Sequence, residues 1–349
     1  LMRKIFKHKS ICIFGFLFKM IKTAEEFYKI LIEKFPFEPT ILQDILLQKL
    51  SAFTFESKND SLFLIKGYAG TGKTTTISTV VNNLWKAGKK AVLLAPTGRA
   101  AKVISGYSGR QAFTIHKKIY HPRKNKAGGV DFTLQVNKHT NTLFIVDEAS
   151  MIPDTVTNGK LFDGTSLLDD LMSYVYSGAH CKLILIGDTA QLPPVKLDLS
   201  PALDAQKLTL NFDKNVTEIE LNEVMRQHAE SGILVNATEL RYILANNGFS
   251  DFKFQLGFPD LIRLIDGYDI EDAINSAYNK FGVEDTAFIV RSNKRANQYN
   301  QQIRSKIRGQ ENEISTGDFV MVVKNNYFWL KESSEAGFIA NGDICEILQ

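Results

Sequence analysis

The stretch from Leu64 to Ile77, LIKGYAGTGKTTTI, restricts the fold more than any other part of the sequence. A short apolar run, SLFLIKG (61–67), leads into a Gly-x-x-x-x-Gly-Lys-Thr loop formed by Gly67, Tyr68, Ala69, Gly70, Thr71, Gly72, Lys73 and Thr74. A helix is expected over residues 73–87. Glycines let the backbone curl so that successive N–H groups point inward at an anion, and the helix start adds its unpaired N–H groups and positive dipole end. Lys73 is placed to reach the terminal phosphates of a nucleotide. The Thr74 hydroxyl suits a Mg²⁺ ion, with Thr75 beside it in the first turn. A glycine-rich turn that binds nothing is the rival reading, and the order strand, loop, helix argues against it.

Three further apolar runs have the same character: KAVLLAPT (90–97), TLFIVDE (142–148) and CKLILIGD (181–188). Continuous apolar runs between helical segments indicate parallel strands buried on both faces. The expected fold is therefore α/β and doubly wound, with ligands at the carboxyl ends of the strands. Ahead of the loop, KTAEEFYKILIEKF (22–35) has helical periodicity, and FEPTILQDILLQKLSAF predicts a second helix after Pro39. Residues 222–282 read as helical and less patterned. DTAFIVRSNKRANQYN (285–300) is another strand-like run with a polar exit. STGDFVMVVKNNYFWLK and FIANGDICEIL alternate around Gly-Asp turns, as β-structure does.

With 349 residues the chain has room for two domains. Its formal charge of +4 rests on the first 19 residues, which hold Arg3, Lys4, Lys7, Lys9 and Lys19 and no acid. The remainder is close to neutral, so any nucleic-acid binding must come from a local groove rather than from the global field. Cys12, Cys181 and Cys345 are far apart and form no Cys-x-x-Cys pattern, which leaves no disulfide framework or zinc site and points to the cytoplasm. The basic start and the apolar run Ile11–Phe18 form a thin secretory pattern, too short to span a bilayer and without a small-residue cleavage site. Residues 1–19 are read as an extension outside the fold.

Chemistry gathers at the ends of the strands. Asp147 and Glu148 close TLFIVDE; the first carboxylate is placed to hold Mg²⁺ and the second to orient or deprotonate an attacking water. A pair of solvated strand-end carboxylates is the alternative. GDTAQLPPV (187–195) offers Gln191 as a neutral side chain able to touch a γ-phosphate, on a loop that two prolines stiffen. Taken alone, a polar turn would look the same.

Together with the phosphate loop, APTGRAAK (95–102), TIH (114–116), DEAS (147–150), GDTAQLPPV and LNEVMRQ (221–227) resemble, in order, the motifs of superfamily 1 helicases. More narrowly, the chain resembles the Dda/RecD-like branch, whose members move 5′ to 3′ on single-stranded DNA. The resemblance spans about residues 39–349. It implies a P-loop NTPase with RecA-like parallel sheets and flanking helices, ATP and Mg²⁺ as cofactors, and single-stranded DNA or a single-strand/duplex junction as partner. It makes Gln43 an adenine-reading glutamine, and Arg226 an arginine that contacts the γ-phosphate from across the cleft. On the residues alone, Arg226 reads equally as a surface salt bridge. The organisation implied is a RecA-like ATPase domain over 20–230 with a basic insertion at about 116–141, a helical linker over 231–282, and a partial second RecA-like domain over 283–349. Motifs of the family that follow this point are absent from the sequence given, so an incomplete second domain is expected.

Pro96, Thr97 and His116 lie beyond strand ends, where a strand of DNA could cross the sheet and bond through its phosphates. His116 by itself reads equally as a capping or packing histidine. The insertion HKKIYHPRKNKAGGVDFTLQVNKHTN carries Lys117, Lys118, Arg123, Lys124 and Lys126 interleaved with Tyr120 and His121. Phe132–Val136 alternates like a strand, and the relatives place a β-hairpin here. Lys117, Lys118, Tyr120 and Arg123 are therefore expected DNA contacts, against the plainer reading of a solvated basic loop. The function expected is an ATP-dependent helicase or translocase motor. The alternatives are a fragment that binds ATP and single-stranded DNA without unwinding, and a P-loop ATPase switch acting on protein partners.

Overall fold

The computed structural model describes residues 20–124, 130–154, 165–194, 197–223, 231–246, 252–283, 285–323 and 341–348, with Asn326, Trp329 and Ile339. The extension 1–19 and Arg226 lie outside the described residues. The chain divides into two compact units: one reaches Pro96 and resumes over Ala100–Glu223, and the other comprises Thr97–Arg99 and Val224–Gln349.

The first unit is built on a six-stranded sheet. Its strands are β1 (Ser61–Gly67), β2 (Lys90–Ala95), β3 (Ala112–Thr114), β6 (Thr142–Val146), β7 (Lys182–Gly187) and β8 (Asn215–Leu221), in the order β3-β2-β6-β7-β1-β8. Every pairing in it is parallel. An α/β RecA-like architecture follows, and all six carboxyl ends share one edge. The apolar runs are continuous because both faces are covered. Phe63, Ile65, Leu93, Ile145, Ile184 and Ile186 pack with the helices α1 (Ala24–Lys34), α2 (Ile41–Phe55), α3 (Lys73–Asn83) and α4 (Gly98–Ser108). Their neighbours in sequence, Leu64, Leu94, Phe144 and Leu185, are buried too, and alternation along a strand turns them to the opposite face. There the Phe144 ring meets Tyr174 of α6 (Leu167–Tyr176) edge-on at 5.8 Å.

The expected helix 22–35 is α1, with Phe27 and Leu31 buried. The second expected helix is α2, which Thr40 and Gln43 start as a reciprocal capping box. Lys182 closes its far end, its Nζ donating to Phe53 O at 2.8 Å and Glu56 O at 2.6 Å. The helix expected over 73–87 ends earlier: α3 stops at Asn83 and a 3₁₀ turn covers Leu84–Ala87. Within the insertion, α5 (Ile115–Ile119) leads into an antiparallel pair, β4 (Tyr120–Lys124) with β5 (Val130–Leu134). α7 (Ala205–Phe212) precedes β8.

The second unit contains α8 (Gly232–Ala245), α9 (Gly267–Phe281), α10 (Asn293–Gln302) and an antiparallel pair of β9 (Phe319–Met321) with β10 (Ile344–Glu346). The run 285–292 differs from its expected strand: it pairs with no strand among the described residues, and Ile289 is 94% exposed. An apolar run becomes a strand only where a neighbouring strand bonds its backbone.

Candidate nucleotide site at the strand ends

β1 ends at the phosphate loop, and its burial fixes where the loop starts. Gly72 caps α3 at φ +83°, a left-handed conformation that disfavours other residues. A Cβ here would lie 2.3 Å from Gln43 Nε2. Helices α2 and α6 start on a capping box and α7 on an Asp cap, but α3 has no side-chain cap. Gly72 itself offers no side-chain oxygen to the first-turn N–H groups, as suits a phosphate cradle.

Inside the loop, Tyr68 O accepts from Thr71 Oγ1 at 2.8 Å, and Lys73 Nζ donates to Gly67 O at 2.6 Å and Tyr68 O at 2.8 Å. Ala69 and Gly70 are exposed at the tip; Thr74 and Thr75 are half-buried in the first turn of α3.

Gln43 is 2% exposed. Its Oε1 accepts from Thr40 N at 3.1 Å and its Nε2 donates to Thr71 O at 3.0 Å. Nε2 therefore ties the phosphate loop to α2, while Oε1 closes the cap of α2 itself. The start of α2 is in turn held from just beyond β8, where Glu223 Oε2 accepts from Leu42 N at 3.0 Å.

Asp147 and Glu148 follow β6, next to β7, which is next to β1. Asp147 N donates to Leu94 O at 3.0 Å, and its Oδ1 accepts from Glu148 N at 2.9 Å. Burial raises the Asp147 pKa, opposed by that hydrogen bond and by the Lys73 charge. Burial and the Asp147 charge raise Glu148, with Asp188 adding to them; a hydrogen bond from Gln191 and the Lys73 charge oppose the rise. Glu148 sits at φ +56°, a strained conformation for a glutamate and one that collects at functional sites. Ser150 Oγ donates to Gln191 Oε1 at 3.0 Å. Gly187 lets β7 approach this turn: a Cβ there would meet Leu203 Cδ2 at 2.7 Å and Ser150 N at 3.1 Å.

Three side chains here were not picked out by the sequence reading. Asp188 is 5% exposed and directly follows β7, where it accepts from Ala190 N at 2.8 Å. A carboxylate straight after an apolar strand, as at Asp147, was its signal. Ser150 and Glu223 lie inside quoted motifs but carry no signal of their own.

The expected DNA contacts separate into several settings. Pro96 and Thr97 are half-buried between β2 and α4. Tyr120 is buried instead, its hydroxyl donating to Asp170 Oδ2 of α6 at 2.6 Å, so it anchors the hairpin and does not face outward. Burial pushes the His116 imidazole down to about 4, which leaves it neutral at physiological pH. Lys117 and Lys118 lie over the Phe113 ring, 5.8 Å and 5.3 Å from its centre. Arg123 lies within β4.

A parallel sheet with an uncapped glycine loop at β1 and paired carboxylates at its second neighbour defines a P-loop NTPase. Residues 48–242 match the AAA domain family (AAA_30), more than half of the chain, and the chain belongs to that family. It is 32% identical over 174 residues to the ATP-dependent RecD2 DNA helicase of Deinococcus radiodurans, a match covering 50% of this chain and 21% of that protein. It is 25% identical over 270 residues to the ATP-dependent DNA helicase dda of Enterobacteria phage T4, covering 74% of this chain and 55% of that protein. Among solved structures, Pif1 helicase from Bacteroides in complex with ADP-AlF3 and ssDNA aligns at 18% identity and a TM-score of 0.42, covering 82% of this chain and 61% of that one. The chain thus spans between about a fifth and about half of the length of these two sequence relatives. No described helix is long and apolar enough to cross a membrane.

Proposed function

We propose that this chain is the ATP-driven motor of a superfamily 1 DNA helicase of the Dda/RecD-like branch, acting on single-stranded DNA. The observation that supports this most is the meeting of Lys73, Asp147, Glu148, Asp188 and Gln191 at the carboxyl ends of three adjacent strands, β1, β7 and β6. In this reading the loop N–H groups and Lys73 hold the β- and γ-phosphates of ATP. The Thr74 hydroxyl and the Asp147 carboxylate hold Mg²⁺; such hard oxygen donors, few in number, suit an ion that also binds substrate phosphates and keeps several waters. When bound there, Mg²⁺ would supply neutralisation of the phosphate charge. Glu148, its pKa raised by its surroundings, orients the attacking water and takes its proton. Gln191, held by Ser150, touches the γ-phosphate and passes its loss to the loop that follows.

The roles of Arg226 at the γ-phosphate, of Pro96, Thr97, His116, Lys117, Lys118 and Arg123 along DNA, and of residues 283–349 as part of a second RecA-like domain belong to the same proposal. Gln43 enters it as the brace of the phosphate loop, with adenine contact as its second role.

Steady-state ATP hydrolysis by the full chain, with and without a single-stranded oligonucleotide, tests this reading, with Lys73→Ala as the inactive control. Turnover stimulated by DNA is the expected result. Binding of both ligands without turnover would favour a binding fragment. Turnover indifferent to DNA would favour a switch that acts on protein partners.

A further inference from the structure

A groove of about 330 Å³ runs beneath the root of the β4–β5 hairpin, walled by Phe113, Lys117, Lys118, Lys138, His139 and Tyr174. Its position separates it from the strand-end site. His139 precedes β6, at the end of that strand opposite Asp147. Three lysines line it, and no carboxylate among the described residues does. The field inside is positive enough that Lys118 and Lys90, after burial, both depress the His139 pKa. Burial likewise lowers Lys117 and Lys118. Like charges held together and partly desolvated are costly, and an anion relieves that cost.

The walls are fixed. Asn137 is buried, and its Nδ2 donates to Tyr174 O at 3.0 Å and Val175 O at 3.2 Å, tying the hairpin's return to α6. His139 and Tyr174 both pack edge-on against Phe144, at 5.3 Å and 5.8 Å. Gln135 Nε2 donates to Tyr120 O at 2.6 Å and closes the hairpin root above.

We infer that this groove is a second nucleic-acid site, which grips the phosphodiester backbone of a single strand on the flank of the first unit, apart from the strand-end track. The chemistry is that of sequence-independent binding: ammonium groups, two of them on lysines seated over the Phe113 ring, for phosphate. The volume is at the lower limit for a small-ligand site and suits one nucleotide unit. The inference rests on the nucleic-acid reading above and assigns Lys138 and His139 to it.

The test is the variant Lys138→Gln in the full chain, which the strand-end track does not use, against a control pair far from the groove, Lys29→Gln/Lys58→Gln. Binding of a fluorescein-labelled oligo-dT is followed by anisotropy across a salt series, with thermal melts to establish folding. Each single-strand phosphate contact contributes about 0.7 to the slope of log K against log salt, so losing this one should flatten it by about 0.7. ATP turnover without DNA should be unchanged, as should the control pair's slope. An unchanged slope in the groove variant would overturn the inference while leaving the motor reading in place. A wild-type chain that binds no oligonucleotide would overturn both. Weakened binding of a fluorescent ATP analogue, with the oligonucleotide slope intact, would make the groove a site for free nucleotide and would also overturn it.

Discussion

The strand-end site and the hairpin flank both drew attention in the sequence, and the structure treats them differently. At the strand ends, Lys73, Asp147, Glu148 and Gln191 follow β1, β6 and β7, the three strands their motifs close. Lys73, Asp147 and Glu148 lie within electrostatic reach of one another, and Gln191 within hydrogen-bond reach of Glu148. On the flank, neighbouring residues of one basic stretch have separate roles: Tyr120 is an anchor, His116 is desolvated, and Lys117 and Lys118 face a groove. The difference teaches where sequence order suffices. A parallel sheet brings all its carboxyl ends to one edge, so a residue just past a strand has its place set by topology. A short helix and hairpin have no such frame, and local packing decides which way each side chain turns.

The largest expected effect breaks the strand-end half of this comparison. Glu148→Gln should retain ATP binding and lose turnover by about 10²–10⁴-fold, the range for a positioned general base. Single-turnover hydrolysis measures it, and retained hydrolysis would remove Glu148 from its role.

Next comes Gln43→Ala, which leaves Thr71 O and Thr40 N without their partners. A buried group left unpaired costs about 1–3 kcal/mol. Thermal melts should show that loss and ATP affinity should fall with it. A selective loss of adenine preference at unchanged stability would instead make Gln43 a base reader only.

Tyr120→Phe sharpens the flank half. It removes the bond to Asp170 and should cost about 1 kcal/mol in denaturant unfolding, with DNA affinity unaffected. A drop in DNA affinity at full stability would return Tyr120 to the binding surface.

At neutral pH the smallest effect concerns His116, whose contribution shows only in acid. Its folded pKa of about 4 lies below its ordinary 6.5, so below pH 6.5 the unfolded chain binds the proton and the folded chain does not. Stability is therefore whole above about pH 6.5 and is lost as the pH falls toward 4. His116→Gln should flatten that part of the pH–stability curve. An unchanged curve would mean that the imidazole is not desolvated.

Much of the fold was legible because it was written in runs of apolar residues. β1, β2, β6 and β7 fall within the four runs read as strands, since burial on both faces leaves no polar interruption. β8 was missed: NVTEIEL alternates charged and apolar residues, as an edge strand does, and only its register with β1 identifies it. β3, three residues long, is beyond any periodicity. The run 285–292 shows the converse, an apolar pattern without a partner for its backbone.

The sequence by itself determined the phosphate loop, the carboxylate pair and the order of the central strands' chemistry. Those depend on residue type and on spacing along one chain, which local conformation obeys. Tertiary structure alone decided that Gln43 braces the loop through Thr71, that Glu223 holds the start of α2, and that Lys118, Lys138 and His139 share one groove. Those are contacts between segments distant in sequence, and their energy exists only once the sheet has brought the segments together.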